Sequence, residues 1–110
     1  MTGIQDGRIV RCILDALQNA VSRIVLYGPA ARMESSRDGA AELAVITPYK
    51  ISEFQEERLS LAVADFNKKH DRKYSVIDID AAALAEMQEE IPLFREILET
   101  GIPLWKQEED

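Results

Sequence analysis

The chain has 110 residues and a formal net charge of -7, a length that suits one domain with one modest core. The acidic balance, with a sequence pI of about 4.7, argues against a broad nucleic-acid-binding surface, so that any nucleotide needs a local site. No apolar run approaches the ~20 residues of a membrane helix, and the first residues lack the apolar segment of a signal peptide. We therefore expect a single domain over residues 1–110, soluble, cytoplasmic and without a membrane partner.

The first half of the chain predicts a helix followed by two strands. Over residues 9–24 the apolar side chains recur at three- and four-residue steps, the spacing of a helix with one buried face. The run RIVLYG, which ends at Gly28 and Pro29, is typical of a buried strand closed by a turn. The polar stretch 32–39 predicts a loop, and AELAVIT at 41–47 predicts the second strand.

The second half predicts a long helix, a third strand and two further helical segments. Residues Ser52–Gln55 have the composition of a capping box, which starts a helix over about 53–69. The β-branched run at 74–80 predicts a strand, residues 81–101 contain the two later helical segments, and IPLWKQ indicates a short closing strand. This order predicts an α/β (α+β) fold in which a small mixed sheet of three or four strands is flanked by helices.

Carboxylates gather where the predicted strands end. If those ends meet, the Gly28 turn lies near Asp38, Glu42 and Asp78. Carboxylate oxygens are ligands for Mg²⁺, and the backbone N–H groups of a glycine turn receive phosphate oxygens. Acids at strand ends are more often solvated surface groups, so spacing by itself favours that reading over a metal site.

The turn at Gly28-Pro29 follows an apolar strand, and the ten residues AARMESSRDG then lead to Ala40 and Glu42. This spacing resembles the motif of the minimal nucleotidyltransferase family, small relatives of the polymerase-beta-type nucleotidyltransferases. That family's pattern is an apolar strand, Gly-Ser, ten residues, and Asp-x-Asp opening a second strand, so Gly28-Pro29 stands at the Gly-Ser position and Ala40 and Glu42 at the two aspartate positions. Arg32 matches an arginine common after the turn. The resemblance covers nearly the whole chain and implies a nucleotidyltransferase-like fold.

The same resemblance maps the family's third carboxylate to Asp78, or to Asp80 if the register differs by two residues. It implies a nucleoside triphosphate bound at Gly28, Pro29 and Arg32, with Mg²⁺ as cofactor in an active member. Compared with the family's motif, Pro29 lacks the hydroxyl of serine and has no backbone N–H. Ala40 lacks the carboxylate of the first aspartate, and Glu42 is one methylene longer than the second.

A substitute metal site is one alternative. Asp38 precedes Ala40 by two residues, so an early start of the second strand would place Asp38, Glu42 and Asp78 as a replacement triad. Asp78 is then both a metal ligand and the catalytic carboxylate. Gly39 makes this early strand start the less favoured alternative.

Three functions follow from these features. The favoured hypothesis is a degenerate nucleotidyltransferase, a pseudoenzyme that acts by binding, since members of the resembled family accompany small helical partner proteins, often as the antitoxin of a toxin–antitoxin module. The second is an active Mg²⁺-dependent enzyme that moves a nucleoside monophosphate from a nucleoside triphosphate to a hydroxyl acceptor. The third is a homo-oligomer that makes its contact through a sheet edge or the surface around Trp105.

Overall fold

The computed structural model describes residues 7–32 and 40–108, and within them a four-stranded sheet with helices on both faces. The helices and strands, in chain order, are α1 (Gly7–Ala16), β1 (Arg23–Tyr27), β2 (Ala41–Thr47), α2 (Glu53–His70), β3 (Tyr74–Asp80), α3 (Ala81–Glu86), α4 (Pro92–Thr100) and β4 (Ile102–Lys106). The prediction of a mixed sheet flanked by helices is confirmed.

The sheet has the order β3-β2-β1-β4 and contains one parallel pair. β1 pairs with β2 and with β4 in antiparallel fashion, whereas β2 and β3 are parallel and are joined by α2. A parallel connection needs a crossover, and the 18-residue α2 supplies it. This parallel register decides which side chains of β3 lie beside those of β2.

Two apolar clusters lie on opposite faces of the sheet. Leu43 and Val45 of β2 face α1 and α2, and their cluster includes Leu59 and Phe66 of α2. Ala44 and Ile46 face the other way, where they share a cluster with Leu84 of α3 and Ile97 of α4. We call these the α2 face and the α4 face of the sheet.

The first helix is shorter than its apolar spacing predicted. α1 ends at Ala16, and Gln18 and Asn19 adopt left-handed backbone conformations with φ of 53° and 69°. These two residues reverse the chain before β1 begins, because a left-handed residue cannot continue a right-handed helix. The apolar series to Ile24 therefore spans a helix, a turn and a strand.

The long helix begins and ends as its sequence indicates. The Ser52 hydroxyl accepts from the Gln55 N–H, and the Gln55 side chain accepts from the Ser52 N–H. At the other end Asp71 has a left-handed conformation, and its N–H donates to the carbonyl of Asn67. None of the helices in the described part of the chain is both long and apolar enough to cross a membrane.

Candidate functional site

The turn after β1 places a glycine against a carboxylate. Gly28 is buried with φ of 82°, a conformation that side-chain-bearing residues rarely adopt, and a Cβ there would lie 3.0 Å from Glu42 Oε2. The Gly28 carbonyl accepts from the N–H groups of Ala31 and Arg32, which closes the turn. Pro29 is exposed at the head of this turn and offers no N–H.

Glu42 is held from the neighbouring strand by a tyrosine. Tyr27 and Glu42 are paired residues of β1 and β2 and lie on the α4 face. Burial raises the pKa of Tyr27, and the charge of Glu42, its hydrogen bond with the Tyr27 hydroxyl and the charge of Glu96 raise it further. The Tyr27 hydroxyl donates to the Glu42 carboxylate, so part of this carboxylate's hydrogen-bonding capacity is used within the protein.

Arg32 lies beside the turn and pairs with the closing helix. Its Nη1 atom is 2.8 Å from Glu96 Oε2, and both side chains are partly exposed. Next to this pair is a cleft of about 380 Å³, whose lining includes Arg32, Arg95, Glu89, Glu96 and Glu99. Because three carboxylates accompany the two arginines in this lining, the cleft offers a triphosphate no net positive charge.

Asp78 and Glu42 are not brought together. In the parallel pairing Asp78 lies opposite Val45, three positions beyond Glu42, which corresponds to ~10 Å along the strand. Because side chains alternate along a strand, Asp78 shares the α2 face with Val45, whereas Glu42 is on the α4 face. The sheet itself separates the two carboxylates.

Asp80 has a local structural role. It lies on the same face of β3 as Asp78, as the alternation of the strand predicts. Its carboxylate accepts from the N–H of Ala83 at 3.2 Å and thereby caps α3.

The residue of β3 that lies beside Glu42 is Ser75. The two are direct partners in the parallel register and share the α4 face. Ser75 was not among the predicted site residues, because the third ligand expected on β3 was an acid. The signal was the alternation of the strand, which places Ser75 on the same face as the buried Ile79.

The described residues do not fit a two-metal centre at this turn. Residue 75, beside Glu42 on the same face, is serine, and residue 40, directly before β2, is alanine, so neither has a carboxylate. Over residues 7–32 and 40–108 there is no group of three or more His, Cys, Asp or Glu side chains placed to hold a metal ion. Asp38, predicted as a metal ligand, lies outside the described residues.

Asp78 instead meets another acid on α2. The pKa of Glu56 is raised, first by its hydrogen bond with Asp78, then by the charge of Asp78 and by a smaller desolvation, while Lys50 acts in the opposite direction. Glu56 therefore keeps its proton, and donates it to Asp78, up to a higher pH than an isolated glutamate would. Asp78 is therefore engaged with α2 on the face opposite to the Gly28 turn.

The substitution Glu56→Gln is expected to stabilise the protein at neutral pH and to have little effect in acid. Because the folded-state pKa of Glu56 is raised above 4.5, the stability that its proton confers is present below that value and is lost as the pH rises through the raised pKa. The glutamine amide donates to Asp78 at every pH. Urea unfolding from about pH 4 to about pH 7 measures the difference.

The control is Glu86→Gln, which removes an exposed carboxylate from α3. It should leave the shape of the stability profile with pH unchanged. An equal and pH-independent effect of both substitutions would contradict the proposed hydrogen bond from protonated Glu56 to Asp78.

The sheet order, the flanking helices and the glycine turn define a nucleotidyltransferase-like fold, and comparison with solved structures shows the same fold. A mutant of the toxin–antitoxin pair MntA–HpeT with two Asp-to-Glu substitutions superposes with a TM-score of 0.64 at 17% identity, over 93% of this chain and 73% of the matched chain. A toxin–antitoxin structure with AMP-PNP gives 0.63 at 14% identity, over 94% and 75%.

A third structure holds a partner protein. It contains a tri-AMPylated HEPN toxin from Shewanella oneidensis in complex with its MNT antitoxin, and it matches with a TM-score of 0.60 at 15% identity, over 97% of this chain and 74% of the other. At these identities the likeness is one of fold. No protein-family model and no curated protein matches the sequence.

Proposed function

We propose that this chain is a degenerate nucleotidyltransferase-fold protein that acts by binding, as an antitoxin-like partner of a small helical protein. The observation that carries the proposal is the composition of the α4 face around Glu42. Pro29, Ala40 and Ser75 occupy the positions where donors and metal ligands would have to lie, and the acid predicted to complete them, Asp78, is on the other face.

The fold supports the part of this proposal that concerns binding of a partner protein. The solved structures compared above come from toxin–antitoxin pairs, and one of them contains a HEPN toxin in complex with an antitoxin. A protein whose site has lost its ligands can keep a binding surface, because packing and surface residues are independent of the metal centre. The core of this chain is accordingly intact, with Leu43, Val45 and Ile46 fully buried in β2.

Two measurements test the proposal. Isothermal titration with Mg²⁺ and AMP-PNP should give no heat of binding. Co-expression with the protein encoded beside this chain should suppress any growth arrest that the neighbour causes, and should still do so after Glu42→Gln or Asp78→Asn. Mg²⁺-dependent nucleotide binding at micromolar strength, or suppression that disappears with either carboxylate, would contradict it.

A second candidate is an active Mg²⁺-dependent nucleotidyltransferase. The observation in its favour is that Glu42 lies directly against the Gly28 turn. In the same turn the Arg32 N–H donates to the carbonyls of Gly28 and Pro29. Asp38 and Asp78 would then have to supply the remaining carboxylates. This candidate requires transfer of labelled nucleotide to a partner or small-molecule hydroxyl, and that transfer must vanish in Asp78→Ala.

A further inference from the structure

The outer face of α2 carries two large apolar side chains in solvent. Phe54 is 67% exposed and Leu61 is 63% exposed, more than any other large apolar side chain in the described part of the chain. They are seven residues apart and therefore lie in one row along the helix, directed away from the buried Leu59 and Val63. Two large exposed apolar side chains in one row make this side of α2 a candidate contact surface.

The exposed charges towards the two ends of this helix have opposite signs. Glu53 and Glu57 lie near its start and Lys68 and Lys69 in its last turn, while Arg58 and Asp65 lie nearer its middle. Leu61 is near the midpoint of the 18-residue helix, so the acidic and basic ends are nearly equidistant from it. A surface with this arrangement is complementary to itself when a second copy is turned end for end.

We infer that two copies of this chain associate through an antiparallel contact between their α2 helices, with the two Leu61 side chains meeting on the two-fold axis. An isologous contact requires the same patch on both copies, and α2 meets that requirement. Glu53 and Glu57 of one copy then lie beside Lys68 and Lys69 of the other, and the antiparallel helix dipoles add to the attraction.

Neighbouring contacts hold the apolar row in place. The Arg58 guanidinium lies over the Phe54 ring at 5.9 Å from its centroid, and Arg58 Nε also donates to the Ala16 carbonyl at the end of α1. Lys69 pairs with Asp65 along the helix at 3.5 Å, an exposed ion pair whose partners can exchange at little cost. Arg58 is therefore fixed by its hydrogen bond to α1 and packs against the Phe54 ring.

The expected dimer is weak. One helix pair buries less than the ~1,600 Å² of a standard interface, so the monomer and dimer should both be populated in a concentration-dependent way. Added salt should weaken association, since the charged pairs are at the solvent-exposed rim. This self-association is separate from the proposed binding of a helical partner, and either can fail without the other.

Charge exchange gives the sharpest test. The variant Glu53→Lys/Glu57→Lys has two basic ends, and the variant Lys68→Glu/Lys69→Glu has two acidic ends. By sedimentation equilibrium each should associate at least about tenfold more weakly than the natural chain, and an equimolar mixture should recover the association as a heterodimer. Circular dichroism confirms that both variants are folded.

The apolar centre is tested separately. Leu61→Glu should abolish the dimer, whereas Leu98→Glu, at the exposed leucine of α4, should leave it intact. In a Cys12→Ser background, Leu61→Cys should form an intermolecular disulfide with oxidised glutathione, because the two positions meet on the axis. That cross-link reports the contact even if a charge variant proves unstable.

Three results would overturn the inference. One is a chain that sediments as a monomer at all accessible concentrations, which leaves the apolar row to a different protein. Another is a dimer that Leu61→Glu and both charge variants leave unchanged, which places the contact at a sheet edge or around Trp105. The last is a mixture of the two charge variants that associates no better than either variant does separately.

Discussion

A chain carrying Pro29→Ser, Ala40→Asp, Glu42→Asp and Ser75→Asp is expected to bind Mn²⁺ at least about tenfold more tightly than the natural chain, a difference of ~1.4 kcal/mol. The register places residues 42 and 75 side by side on the α4 face, and residue 40 lies two positions before residue 42, directly ahead of β2. Three carboxylates from adjacent strands would then surround the Gly28 turn with oxygen ligands. Titration with Mn²⁺, in the presence and absence of AMP-PNP, measures the gain.

The matched control retains Ser75 and carries only the other three substitutions. If the geometry of β3 is decisive, this control should bind Mn²⁺ no better than the natural chain, and Asp78→Asn should have no effect in either background. If Asp78 is the third carboxylate, the control binds the metal and Asp78→Asn abolishes binding. The two sets of results therefore distinguish a ligand position at residue 75 from one at residue 78.

Gly101→Ala is expected to lower the free energy of unfolding by about 1–3 kcal/mol. Gly101 connects α4 to β4, and its N–H donates to the Ile97 carbonyl at 3.2 Å. A Cβ at this position would overlap the carbonyl oxygen of Ile97 and the Cγ1 atom of the buried Val25. Because a backbone atom is one of the two, α4 and β4 must move apart to admit the methyl group. Urea unfolding measures the loss.

Gly7→Ala is the control for this substitution. Gly7 is the first residue of α1, and a Cβ there would have no neighbouring atom within 4 Å. Its replacement should change stability by less than about 1 kcal/mol, in the stabilising direction, because alanine favours the helix. A Gly101→Ala variant as stable as this control would show that the α4–β4 connection can shift without cost.

Local patterns were sufficient for most of the secondary structure. The strands at 41–47 and 74–80 have the predicted bounds, because their β-branched residues favour extended backbone. Pro48 follows the first of them, and the second ends at Asp80, which caps α3. The capping box of α2 is likewise local, since Ser52 and Gln55 bond to each other's backbone. The end of α1 was missed, because apolar spacing carries no information on the left-handed backbone of Gln18 and Asn19.

The candidate site was predictable only in part. The Gly28 turn and the neighbouring Glu42 follow from motif spacing and from the antiparallel pairing of consecutive strands. The exclusion of Asp78 from that neighbourhood does not, because the face of a side chain in β3 depends on its register with β2. The crossover through α2 sets that register, and a change of one residue would move every side chain of β3 to the other face.

The sequence by itself therefore determined which groups are absent at this turn, since Pro29 has no N–H donor and Ala40 has no carboxylate whatever the fold. Only the tertiary structure decided which groups lie together. It placed Ser75 beside Glu42 and turned Asp78 towards Glu56 on α2. The physical reason is that the chemical groups of a side chain are set by the residue itself. Its neighbours across the sheet depend instead on which strands pair and in what register.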